Sequence, residues 1–110
     1  MEQLNQMTSL EKELDQFAKT RQIGSEQAKP LLDHYYALLM DYFYVINQVE
    51  PTSLAKLDLD SLTIVPFNIV DRLAYIEERK HHYMGYQQMK TLKSELIKMH
   101  AAYRARHHIE

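Results

Sequence analysis

With no cysteine among its 110 residues, any chemistry this chain performs must come from His, Asp, Glu, Arg, Lys, Tyr, Ser or Thr. Disulfides, thiolate zinc sites, iron–sulfur clusters and a cysteine nucleophile are excluded together. Five of the six histidines lie beyond Val65, and Glu78-Arg79-Lys80-His81 there forms a Glu-x-x-His motif. Diiron bundles need that motif on two helices and a Glu from each of two more, because two metals are bridged from four sides. No second copy occurs, so neither a metal nor a cofactor is expected; a mononuclear group drawn from Asp33, His34, Asp41, His82 and His100 is the metal alternative. The neighbours His81-His82 and His107-His108 would point about 100° apart on a helix, so neither pair chelates one ion. Both pairs read as surface histidines.

Arg72 and Arg79 are seven apart and share a helix face, whereas Asp41 interrupts an apolar run. A buried carboxylate is costly unless it is paired. The expectation is a structural ion pair between Asp41 and Arg72, with Arg79 as the other possible partner. The functional alternative is that these arginines, with His82 and Tyr83, line an anion-binding notch where the helix ends. The residues expected to form a binding surface are Arg72, Arg79, His82, Tyr83, Tyr86 and Gln88. Further on, Lys90, Lys93, Lys98, Arg104 and Arg106, interleaved with Tyr83, Tyr86 and Tyr103, open a nucleic-acid reading, since phosphates attract cations and bases stack on rings. Catalysis is not expected: there is no Gly-rich phosphate loop, no Gly-x-Ser-x-Gly and no His-Glu-x-x-His.

The elements that must position these groups read as helices. Two Gly and three Pro are too few for a many-stranded sandwich or barrel. Thr8-Ser9-Leu10-Glu11 matches a capping box, so a first helix is expected from about Ser9 to Gln22, with Met7, Leu10, Leu14 and Phe17 on one stripe. A second begins between Ser25 and Pro30 and runs to about Val49; it is apolar almost all round, which marks it as central. Thr52 to Pro66 reads as a docked loop carrying Leu54, Leu57, Leu59, Leu62, Ile64 and Val65. Asn68 is the expected N-cap of a third helix whose stripe is Ile69, Leu73 and Ile76. Lys80, His81, His82 and Gly85 interrupt the pattern. A fourth helix follows from about Tyr86 to Ala105 with Met89, Leu92, Leu96, Met99 and Tyr103 in a coiled-coil-like seam, which serves equally to close a bundle or to pair two copies.

The length suits one core, so residues 1–110 are read as a single helical domain. Apolar residues make up 45% and charged residues 25%, a globular balance. No apolar stretch approaches the roughly 20 residues that span a bilayer, and Met-Glu-Gln-Leu-Asn-Gln-Met shows no basic segment followed by an apolar run, so a cytoplasmic, non-membrane protein is expected. Charge is uneven: five Lys/Arg face ten Asp/Glu up to Ile64, and eight face five beyond it. That asymmetry fits either an acidic partner or two halves that attract each other across the fold.

The run Pro66-Phe67-Asn68-Ile69-Val70-Asp71-Arg72-Leu73-Ala74-Tyr75-Ile76, followed by Arg79, His82-Tyr83 and Tyr86-Gln87-Gln88, resembles the YpoC-like family of small Firmicutes proteins. The family pattern falls on Pro66, Asn68, Arg72, Arg79, His82, Tyr83 and Gln88. The resemblance is concentrated in residues 66–88 and is looser towards the C-terminus. It implies a cytoplasmic protein and brings no activity with it. The combined expectation is an all-α, compact bundle of about four helices with a docked loop between the second and third. It would act as a non-catalytic module binding another protein, the alternatives being a nucleic-acid-associated protein or a small metal- or ligand-binding bundle.

Overall fold

A computed structural model describes residues 2–52 and 56–107; Leu54 and His108, named above, lie outside these. The elements are α1 (Glu2–Lys19), α2 (Lys29–Ile46), a 3-10 turn (Leu59–Ser61), α3 (Ile69–Arg79) and α4 (Tyr83–Arg106), giving the expected all-α bundle. In space α1 packs on α2, α2 on α4, and α4 on α3. Tyr36 of α2 also donates a hydrogen bond of 2.8 Å to Glu77 of α3, so α2 reaches all three other helices.

α1 begins well before Ser9. Thr8 Oγ1 donates to the Leu4 carbonyl and Ser9 Oγ to the Asn5 carbonyl, so both hydroxyls bond back inside the helix instead of capping it. Met7 and Leu14 are fully buried and Leu4, Leu10 and Phe17 pack beside them, which extends the apolar stripe to the first turn. The helix ends in a Schellman motif: Gln22 N–H donates to the Phe17 carbonyl at 2.7 Å and Arg21 N–H to the Ala18 carbonyl at 3.1 Å. Arg21 occupies the left-handed position of that motif, with φ 58°.

α2 starts at Lys29 with Pro30 in its first turn, where a missing N–H costs nothing. Ser25 Oγ accepts from Ala28 N–H at 3.3 Å in the preceding turn. Nine of its residues are buried, but the helix is not apolar all round: His34, Ala37, Asp41 and Val45 form an exposed stripe at helical spacing. The loop that follows is docked, as expected, by Asn47. Its amide donates to the Phe43 and Ile64 carbonyls, both at 3.0 Å, and accepts from Thr63 N–H at 3.1 Å and Ile64 N–H at 2.7 Å. Ile64 is thereby held in the core.

Asn68 stands at the N-cap of α3 but adopts left-handed backbone, φ 58° and ψ 37°, and makes no side-chain cap. The break before α4 is short, because α4 already starts at Tyr83. Gly85 therefore lies within the first turn of α4 and not in a break. A Cβ there would sit 1.7 Å from the Arg79 carbonyl oxygen, so glycine is needed for the close approach of α3's last carbonyl.

Candidate functional site

α3 and α4 form an antiparallel hairpin, and a groove of about 330 Å³ runs along it, lined by Asn68, Asp71, Arg72, Tyr75 and Gln88. Arg72, half-buried, forms an ion pair with Glu95 of α4 and donates to the Phe67 carbonyl at 3.4 Å. Arg79 extends the same side of α3, its guanidinium 4.6 Å from the centre of the Tyr75 ring. Met84 precedes Gln88 by one turn and so shares its side of α4. Phe67, 89% exposed, and Val70, 61% exposed, flank the other end.

The expected pair between Asp41 and Arg72 does not form. Asp41 lies on the exposed stripe of α2 and has no ion-pair partner among the described residues. α4, not α2, runs alongside Arg72 and supplies Glu95, while Arg79 meets its neighbour Glu78 at 3.5 Å. Among the described residues no buried carboxylate needs neutralising, since every charged side chain there keeps some contact with solvent.

His82 and Tyr83 belong to a different place. With Ala18, Arg21, Ile23 and Gly24 they line a cavity of about 440 Å³ where the α1–α2 turn meets the α3–α4 turn. A cavity does lie at the end of the third helix, but the arginine that lines it is Arg21 and not Arg72 or Arg79, the ones expected there. No periodicity points to Arg21, which stands three residues before Gly24 in the turn. Next to this notch, His81 Nε2 lies 2.6 Å from Asp33 and Lys80 Nζ lies 3.2 Å from the same oxygen, tying the α3–α4 turn to α2. The hydrogen bond from His81 holds the Asp33 carboxyl below its ordinary pKa. The Glu78/His81 half-motif is thus divided between Arg79 and Asp33, and no group of three metal-ligating side chains occurs among the described residues.

Tyr86 is fully buried and takes part in a ladder joining α1, α2 and α4. Its hydroxyl donates to Asp15 at 2.7 Å, and Lys90 reaches the same carboxylate at 3.0 Å. One turn away, Glu11 accepts from Tyr35 at 2.5 Å and from Lys93 at 2.6 Å. The two tyrosine rings meet edge to face, centroids 5.6 Å apart. Burial raises the Asp15 pKa, but Tyr86 and Lys90 together outweigh it and the net shift is downward. Burial and the neighbouring carboxylates push both tyrosine hydroxyls well above their ordinary range. Lys90 and Lys93 are therefore engaged by α1, which leaves Lys98, Arg104 and Arg106 as the solvent-facing cations of α4. The charge asymmetry of the sequence is partly used across the fold, in Glu11–Lys93, Asp15–Lys90 and Asp33–Lys80.

The family model of YpoC-like proteins matches residues 1–108. The chain belongs to the YpoC-like family. The match covers α1 and α2 as well as the hairpin, so the YpoC-like unit includes the notch, the groove and the polar ladder together. No curated protein and no solved structure matches the chain significantly. No described helix of this YpoC-like protein is long and apolar enough to cross a membrane.

Proposed function

We propose that this YpoC-like protein is a non-catalytic cytoplasmic interaction module that binds another protein in the groove between α3 and α4. The observation that carries the reading is the pair of exposed apolar side chains at the groove's two ends, Phe67 at 89% and Met84 at 52% exposure. Between them stand Arg72, Tyr75, Arg79 and Gln88, and aromatic and arginine side chains are the types that dominate binding energy in protein interfaces. Two antiparallel helices offer a third helix a ready seat. The 11 residues of α3 extend about 16 Å, the length of three turns of a partner helix. Because Arg72 and Arg79 are already met by Glu95 and Glu78, the segment that fits is weakly charged, with apolar side chains one end to the other. The engagement of Lys90 and Lys93 by α1 favours this reading over a nucleic-acid surface on α4, which would need those cations free.

The test is retention of a stoichiometric partner from native cytoplasm by a tagged chain, with nuclease present, compared with the F67S/M84S double variant. Both side chains are exposed, so that variant should melt like the parent. The expected result is a protein retained by the parent and lost by the variant, with amide exchange in the complex slowed over residues 67–91. Equal retention by both, or recovery of nucleic acid alone, would overturn the reading.

A further inference from the structure

We propose that the notch between the α1–α2 turn and the start of α4 binds a small phosphate monoester carried on a flat ring, of which nucleoside monophosphates are the biological class. The site is separate from the groove. Its lining divides into a polar edge, Arg21 and His82, an aromatic face, Tyr83, and an apolar remainder, Ala18 and Ile23, with Gly24 leaving open space. Among the described residues no acidic side chain lines it. Several basic side chains elsewhere on the molecule are engaged by carboxylates, among them Arg72, Lys80, His81, Lys90 and Lys93. Arg21 and His82 have no ion-pair partner among the described residues. The volume of about 440 Å³ falls within the roughly 300–1,000 Å³ of small-molecule sites.

The anion follows from the placement of the donors. Arg21 comes from the end of α1 and His82 from the turn before α4, so they approach from two different segments. A phosphate presents oxygens on several sides and can meet both, with the guanidinium fork taking two of them. A carboxylate, planar and with two oxygens, is used up by the fork alone. The ring follows from Tyr83, 51% exposed, which can stack on a flat ester group beside the buried Ile23 of the same lining.

The test uses the full chain, titrated with adenosine 5′-monophosphate, adenosine or inorganic phosphate and followed by calorimetry and by amide shifts. The nucleotide is expected to bind about tenfold or more tightly than either half, since each half satisfies one edge only, and to shift amides of residues 18–24 and 82–86. Arg21→Gly suits the left-handed backbone at this position, so its fold is retained while the cation is lost; nucleotide affinity should fall about tenfold or more. Gly24→Leu should fill the open space and abolish binding, because a Cβ at Gly24 meets nothing nearer than the His81 carbonyl at 3.9 Å. The F67S/M84S variant should bind the nucleotide like the parent, which separates this site from the groove. Undiminished affinity in Arg21→Gly, shifts centred elsewhere, adenosine binding as tightly as the nucleotide, or no binding at millimolar nucleotide would overturn the proposal.

Discussion

Replacing Arg21 by glycine should make the protein more stable, although it deletes a side chain from the proposed phosphate site. Arg21 is the left-handed residue of the Schellman motif closing α1, with φ 58°. An L residue with a Cβ pays about 1–2 kcal/mol for that backbone. Glycine avoids this cost, but its freer unfolded chain takes back about 0.5–1 kcal/mol. Arg21 also places a cation near the negative end of α1, worth a further few tenths of a kcal/mol, about 0.3 at the low end of such contacts. The net expectation for R21G is a gain of about 0.2–0.7 kcal/mol, or roughly 1–4 °C in melting temperature. Gln48 supplies the control. It closes α2 with the same geometry, φ 58°, with Val49 N–H donating to the Tyr44 carbonyl and Gln48 N–H to the Val45 carbonyl, both at 3.1 Å. It carries no charge, so Q48G should gain slightly more, about 0.5–1 kcal/mol. Urea and thermal melts followed by circular dichroism measure both. If both variants lose stability, the left-handed termini are not where the strain lies. If only R21G does, the Arg21 side chain contributes packing that outweighs its backbone cost.

Three other outcomes follow from single positions. Gly85→Ala should cost about 3 kcal/mol or more, because the new Cβ would lie 1.7 Å from a backbone oxygen that cannot move aside, whereas Gly24→Ala, 3.9 Å from its nearest neighbour, should be close to neutral; thermal melts of the pair decide this. Asn47→Ala should cost about 2–4 kcal/mol and speed amide exchange at Thr63 and Ile64, whose N–H groups lose their acceptor. On acidification two steps are expected. Burial, with Arg104 beside it, lowers the His100 pKa, so the folded state resists its protonation; stability begins to fall below about pH 6.5, and His100→Gln should flatten urea midpoints between pH 6.5 and 5. The depressed carboxyls of Asp15 and Asp33 contribute stability above about pH 4 that is lost as pH falls through their folded values, a second step that His100→Gln should leave in place.

The helices were legible because each carries an apolar stripe at a spacing of three and four. Leu14 and Phe17 on α1, Ile69, Leu73 and Ile76 on α3, and Met89, Leu92 and Leu96 on α4 all face the core, fully or in part, as their periodicity required. Boundaries were less legible. Thr8-Ser9-Leu10-Glu11 satisfies a capping pattern and a helix interior equally well, and only the backbone shows the hydroxyls bonding one turn back. Gly85 looked like a breaker because propensity measures the cost of lacking a side chain; the Arg79 carbonyl that forbids one belongs to another element. Of the expected binding residues, Arg72, Arg79 and Gln88 do share the hairpin face, and His82 and Tyr83 line the notch, but Tyr86 went to the interior to meet Asp15.

The order of residues is enough to set the amphipathic helices and the excess of acid in one half and of base in the other. Which carboxylate meets which cation depends on the tertiary structure, because chain order does not reveal that α4 packs against both α2 and α3. That placement gave Arg72 to Glu95 and left Asp41 in solvent, and the meeting of two interhelical turns brought Arg21 within one cavity with His82. Periodicity along one helix fixes only which way a side chain faces; what it faces depends on neighbours tens of residues away, and only packing brings those together.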